Sequence, residues 1–479
     1  MKNPAKFPYL LIFIFLFSSV SHSQSELKIK LDSLLADSMF QSTAASVNVY
    51  DLTANNPLYQ NQVKLLLKPA SNLKVITTAA GLCFLGPDYK FQTLLYLTGT
   101  IADSVCTGDL YLEGRGDPDF GLPDLDSLVR QVRFLGIKEI KGHVYADVSY
   151  MDSLFWGKGW MWDDDPSTDA PYLSPLNINS NTVTVNIAPG LPGNAAVVST
   201  IPETSFFTIK NKSYTVPGDS STFQWDRDWL HRKNDIVVFG NLPSKAPLTA
   251  SEINVYDPAR YFLTLFKEKL ETANILVLGS IDTARVPKDA KLVFTFNRPY
   301  SDVIVNLNKT SDNLSAEMTL RAMAYKYFGK PATPENGVKM VDSLITLSGL
   351  DFKSYRIVDG SGVSHYNLVS TELLLNVLKY IYYSRPELFG ILYNSFPIAG
   401  VDGSLKKRMQ FTEACNNVHA KTGTLSGVSS LSGYVTAKNK HMLAFSAIIQ
   451  NYVGSSSRAV SILDEIGRIL ASSGDEASQ

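Results

Sequence analysis

A serine hydroxyl is a poor nucleophile at neutral pH, and a neighbouring amine held free of its proton is one way to activate it. Ser71 and Lys74, in the stretch Pro69-Ala70-Ser71-Asn72-Leu73-Lys74, stand three residues apart. On a helix that spacing puts both side chains on one face. The same Ser-x-x-Lys spacing occurs three times, at Ser25, Ser71 and Ser404, so spacing alone selects none of them. Ser25 lies beside an expected cleavage site, and Ser404 lies in the polar run 402–408, read as a solvated loop. Only Ser71 opens an apolar helix, expected over 75–85. A nucleophile there faces unsatisfied backbone N–H groups that favour developing negative charge.

Two further constellations lie far downstream. Ser311-Asp312-Asn313 precedes an expected helix over 314–328, so a hydroxyl and an amide can project from its entry, with Glu317 available for its first turn. Ser46-Val47-Asn48 also fits Ser-x-Asn, so this signal is weak alone. His419-Ala420-Lys421-Thr422-Gly423-Thr424 reads as a short strand containing the sole Lys-Thr-Gly of the chain. The missing side chain of Gly423 would let a ligand approach the backbone.

The elements that must position these groups follow from periodicity. Residues 45–51 alternate as a half-buried strand does, and 57–60 can return beside them. Residues 89–286 are short strand-like runs, such as 91–97, 110–112, 143–147 and 182–187, broken by Gly, Pro, Asn and Asp. This predicts a β-rich insertion, large enough for two subdomains, between the first motif and the second. Helical periodicity returns near Ser301 after a strand over 292–296. Strands over 430–436 and 442–451 and a helix over 457–472 complete the chain. The expected division is 24–88 with 290–475 as one discontinuous catalytic domain, and 89–289 as the insertion.

Composition bounds the function. The 44 basic and 45 acidic residues create no field that would attract nucleic acid or anionic membrane. Lys2 and Lys6, an apolar run over 9–20 and the small residues Ser21 and Ser23 predict a signal peptide over 1–23, cleaved near Ser23. An exported, periplasmic protein is expected, with at most a loose membrane association. The six histidines never stand at metal-ligand spacing, so no metal or cofactor is expected. Cys83, Cys106 and Cys415 make no disulfide framework, although a Cys83–Cys106 pair is compatible with the sequence. Arg115-Gly116-Asp117 before Pro118 reads as a turn rather than an adhesion motif. Trp160 and Trp162 beside Asp163, Asp164 and Asp165 either line a pocket for a cationic ligand or form a tryptophan packed under an acidic loop.

Ser-x-x-Lys, Ser-Asp-Asn and Lys-Thr-Gly in this order form the motif set of penicillin-binding proteins and serine β-lactamases. The long gap between the first two resembles the D-alanyl-D-alanine carboxypeptidase/endopeptidase family of the penicillin-binding protein 4 type, peptidase family S13. Gly116-Asp117-Pro118, the Gly159 to Asp163 segment, Asp359-Gly360-Ser361-Gly362 and Ala399 to Gly403 are similar to that family too. The resemblance implies a multi-domain α+β fold. Its catalytic domain would be a β-lactamase/transpeptidase-like antiparallel sheet flanked by helices. It also implies that peptidoglycan stem peptides are substrates and β-lactams covalent inhibitors. Ser71 would be the nucleophile, Lys74 its base, Ser311 the proton relay and Asn313 an orienting amide. Lys421 with Thr422 and Thr424 would hold a terminal carboxylate, and the N–H groups of Ser71 and Thr424 would form an oxyanion hole. Oligomeric state and the stem diamino acid are not fixed by it. A β-lactamase with an unusual insertion and a non-catalytic wall-binding protein are the competing readings.

Overall fold

The computed structural model describes residues 26–474. The expected signal peptide and its cleavage site lie outside the described residues. Strands β1 (Ala44–Asp51) and β2 (Asn56–Asn61) join β3 (His419–Leu425), β4 (Val428–Thr436) and β5 (Met442–Gln450) in one antiparallel sheet of order β3-β4-β5-β1-β2. The register sets Val47 opposite Ala447 and Gly423 opposite Ser430. Nearly every residue of β4 and β5 is buried, because the sheet is covered on both faces.

Three helices cover one face: α1 (Leu73–Phe84), α2 (Asn313–Phe328) and α3 (Thr371–Ser384). Ile76, Met318 and Leu374 from these helices meet Ile448 of β5 in one core. On the other face, Ile462 and Ile466 of α4 (Ser457–Ala471) pack on Val49, Phe445 and Ile449, together with Leu27 and Leu31 from helical residues 26–35. Helix α1 is buried from Leu73 to Leu82, and so is most of α2, as expected of helices that are apolar nearly all round. Asp312 caps α2 by accepting from the Ser315 N–H at 2.6 Å.

The segment between α1 and α2 departs from the purely β reading. It contains the expected strands but also two amphipathic helices, Leu122–Phe134 and Pro258–Thr272, packed on a five-stranded mixed sheet. Leu125, Leu128, Val129 and Val132 repeat at helical spacing along the first. The second begins with Asp257 accepting from the Arg260 N–H and with Pro258 at its first position. Parallel pairing of Leu110–Gly114 with Val144–Asp147 requires a crossover, which the first helix provides. Cys83 and Cys106 do not pair; all three cysteines are free thiols.

A buried ion pair ties this segment together. Arg227, fully buried, meets Asp165 and also donates to Asn254 Oδ1 and the Lys233 carbonyl, each at 2.9 Å. Tyr172 donates its hydroxyl to the same carboxylate at 2.7 Å. Removing one partner of such a pair strands the other charge without compensation. Asp165→Ala is expected to lower stability by about 3–5 kcal/mol in urea unfolding. A loss below ~1 kcal/mol would show that Arg227 is satisfied without it.

Candidate active site

Ser71 sits in a 3-10 turn, Ala70–Asn72, that runs directly into α1. Ala70 holds a left-handed conformation (φ 49°), which an alanine adopts only under constraint. The constraint is visible: Ser430 Oγ donates to the Pro69 carbonyl at 2.8 Å, and Asn72 Nδ2 donates to Ser430 Oγ at 2.6 Å. The turn is thereby stitched to β4. Lys74, fully buried one turn along, lies with Nζ 2.9 Å from Ser71 Oγ. Its other contacts are Asn313 Oδ1 at 2.5 Å and the Ser361 carbonyl at 2.7 Å.

The second and third motifs complete the site from α2 and β3. Ser311, also left-handed (φ 67°), receives a hydrogen bond from Lys421 Nζ at 2.8 Å. Lys421 is fully buried and donates as well to the Thr422 carbonyl at 2.9 Å. Two buried lysines therefore each touch one serine. Burial depresses Lys74 to about 8, opposed by the charges of Asp359, Asp312, Glu317 and Asp169. Burial first, and then the charge of Lys74, push Lys421 well below its usual value. Repulsion from Lys74 thus adds to burial at Lys421.

Strand β3 is the free edge of the sheet, and its Gly423 serves a different purpose from the one expected. A Cβ there would lie 2.4 Å from Ser430 Oγ and 2.9 Å from the Asn72 nitrogen and the Pro69 carbonyl. The turn that carries Ser71 occupies that space. Thr424 is exposed, while the Thr422 hydroxyl is 2.7 Å from Ser404 Oγ. The run 402–408 is therefore not merely a solvated loop, because it docks on the Lys-Thr-Gly strand. Ser311, Asp312 and Asn313 also wall a cleft of about 470 Å³ with Asp169, Asn179 and Glu252 from the inserted segment.

A family model described as the D-Ala-D-Ala carboxypeptidase 3 (S13) family matches residues 27–471. The chain belongs to that family. A D-alanyl-D-alanine carboxypeptidase of Actinomadura sp. strain R39 is 31% identical over 453 residues, 91% of this chain and 83% of its relative. The carboxypeptidase DacB of Haemophilus influenzae is 28% identical over 439 residues, 88% of this chain and 91% of its own. The crystal structure of penicillin binding protein 4 from that organism superposes with a TM-score of 0.81 at 26% identity, covering 91% and 98% of the two chains.

Three features of this S13 carboxypeptidase escaped sequence reasoning. Glu317 is not a first-turn residue but a buried carboxylate that accepts the Gly360 and Ser361 N–H groups, each at 2.9 Å. Asp359 gathers five donors: Trp160 Nε1, Ser361 Oγ, the Gly362 and Ser364 N–H groups and Asn367 Nδ2. Gly362 (φ 89°) packs so close that a Cβ would sit 1.9 Å from the Ala70 carbonyl, beside the nucleophile. The Asp359-Gly360-Ser361-Gly362 string entered only as part of the family resemblance, and nothing in it pointed to Lys74.

The tryptophan and acid segment resolves into separate roles. Trp160 is buried on Asp359, and Asp165 is consumed by Arg227. Asp164 caps its own turn by accepting from the Met161 N–H at 2.8 Å. Trp162 is exposed and packs against Trp229 at 5.3 Å. The five residues do not line one pocket.

A neutral Lys74 can accept the Ser71 proton, and an ammonium cannot. With Lys74 titrating at about 8, the rate constant for acylation by a penicillin should rise with pH and reach half its plateau near that value. Stopped-flow labelling between about pH 6 and pH 10 checks this. A flat profile would remove Lys74 as the base.

Proposed function

We propose that this protein is a serine-type D-Ala-D-Ala carboxypeptidase in which Ser71 is acylated by peptidoglycan stem peptides. The observation that carries the reading is the pair of buried lysines, Lys74 on Ser71 and Lys421 on Ser311, in one cleft. Ser71 Oγ attacks the carbonyl between the two D-alanines, and its proton passes to neutral Lys74. The C–N bond breaks as the proton reaches the departing amine through Ser311, which Lys421 orients. Water, activated by Lys74 once the terminal D-Ala has left, then hydrolyses the ester. Asn313 orients Lys74. The N–H groups of Ser71 and Thr424 stabilise the oxyanion, a contribution whose loss costs ~10²–10³ in rate. Lys421, Thr422 and Thr424 hold the terminal carboxylate, with Gly423 giving that strand its close approach to the nucleophile's turn.

Cleavage of cross-links by the same acyl-enzyme is part of the proposal, supported by the cleft of about 470 Å³ that Ser311, Asp312 and Asn313 wall together with the inserted segment. Residues 24–88 with 290–475 form the catalytic domain of this reading, and 89–289 the insertion. Export to the periplasm follows from residues 1–23. Of the acidic loop, Asp163 and Trp162 remain free to meet the amino group of a stem diamino acid.

The relative named penicillin binding protein 4 supports β-lactams as covalent inhibitors here as well. The opened β-lactam stays tethered where the leaving amine would depart, so water reaches the ester slowly. Intact-mass measurement after penicillin should show one persistent adduct per chain, mapped to the peptide containing Ser71 and absent from Ser71→Ala. Fast turnover of penicillin without a trapped adduct would make the protein a β-lactamase instead. Lys421→Ala should reduce cleavage of a peptide ending in free D-Ala more than that of its C-terminal amide. Equal losses on both would deny Lys421 the carboxylate.

A further inference from the structure

The acceptor that Lys74 finds on the side away from Asn313 is a backbone carbonyl, that of Ser361. A carbonyl can hold an amine in place only if its peptide plane is fixed, and residues 359–364 form a glycine-containing turn rather than a helix or strand. Two carboxylates fix it: the plane of the Ser361 carbonyl contains the Gly362 N–H, which donates to Asp359 at 2.9 Å, and the two peptides before it are held by Glu317. One oxygen of Glu317 accepts both the Gly360 and the Ser361 N–H, and the Gly360 carbonyl receives the Thr77 hydroxyl at 2.6 Å. Asp359 clamps the other side of the turn through its five donors. Glu317 is 2% exposed, Asp359 1% and Lys74 0%, so these bonds are shielded from bulk solvent.

Glu317 stands one helical turn after Asn313 on α2. One rigid helix therefore delivers both the amide that touches Lys74 directly and the carboxylate that aims the carbonyl on its far side. We infer that Glu317 is a positioning residue for the general base: it anchors the 359–360 and 360–361 peptides that lead into Ser361, so that the Ser361 carbonyl of the next peptide faces Lys74 Nζ, and its negative charge favours the protonated form of that amine. The inference deepens the proposed function and rests on Lys74 as base to Ser71.

The charges around Glu317 are few and all face it from packed elements. Asp359 approaches from the turn, and Lys74 from α1. Arg321 follows one turn along α2, with Asp152 and Glu335 opposite it, and Asp312 lies at the helix entry. Arg321 is itself buried with Nε and Nη1 lacking partners, so it compensates Glu317 only at a distance. Burial, and then the charge of Asp359, push the Glu317 carboxyl upward. Lys74 is the one cation here that also touches the nucleophile.

Two variants separate charge from geometry. Glu317→Gln keeps an oxygen for both N–H groups but carries no charge at any pH. The acid limb of the penicillin acylation profile should therefore move to lower pH, by about one unit. Glu317→Asp keeps the charge but withdraws the oxygens by one methylene. It should lower the plateau acylation rate about 10- to 100-fold with the limb in place. A role confined to folding would leave the limb unmoved in Glu317→Gln. A superimposed limb in that variant, or wild-type rates in Glu317→Asp, overturns the inference. If Glu317→Gln does not fold, Glu317→Asp decides alone. Failure of the Ser71 reading is distinct, because the wild-type protein would then not be labelled at all.

Discussion

Two ammonium groups buried in one water-excluded site are the constraint on which this structure turns. Each would cost several kcal/mol to desolvate if left alone. The fold answers by surrounding Lys74 with oxygens from four places: Ser71, Asn313, Ser361 and, at longer range, the carboxylates of Asp359, Asp312, Glu317 and Asp169. Lys421 has less, a hydroxyl and a carbonyl. That imbalance suits the separate tasks proposed for them. A base must lose and regain its proton near neutral pH, which Lys74's surroundings permit. A group that recognises an anion gains most when its compensation is incomplete before the ligand arrives, because the ligand then supplies what the protein withheld.

The inserted segment participates in that balance instead of merely decorating it. Trp160 reaches Asp359 with its indole N–H, and the Asp169 carbonyl takes the Asn313 amide at 2.5 Å. Both contacts end on groups that hold Lys74 in place. The segment also closes one wall of the cleft at Ser311. Trp160 and Ala170, the neighbour of Asp169, pack in the same core as Ile76 of α1 and Met318 of α2, which gives these contacts a rigid base. Loops carrying such contacts on a packed scaffold keep their geometry better than free loops do.

The sequence was most legible where chemistry and periodicity coincide. Ser71, Lys74, Ser311, Asn313 and Lys421 occupy one site, and the helices and strands that bear them were expected within a few residues. Alternation marked the individual strands, whereas their assembly into an antiparallel sheet flanked by helices was implied only by the family resemblance. What stayed hidden was of two kinds. Helices such as Leu122–Phe134 were masked by the breakers around them, although Leu125, Leu128, Val129 and Val132 carried the period. Glu317, Ser361 and Ser404 were hidden because their significance lies in what they touch across 18 to 287 residues of chain, through a backbone carbonyl, backbone amides or a single hydroxyl. Backbone groups have no sequence signature, and a glutamate inside a helix reads as solvated until packing encloses it.

The central sheet joins strands from opposite ends of the chain. β1 pairs with β5, and His441 meets the Asp51 carboxylate at 2.7 Å across 390 residues. Such pairing closes a loop whose entropy must be met before any contact repays it, which makes the sheet a late event in folding. Ser71 lies near the start of that loop, and Lys421 near its end. The proposed nucleophile is therefore synthesised early, but its surroundings are completed last. A growing or partly folded chain carries the serine without the strand that completes its site, and so acquires its reactivity only when the whole architecture has closed.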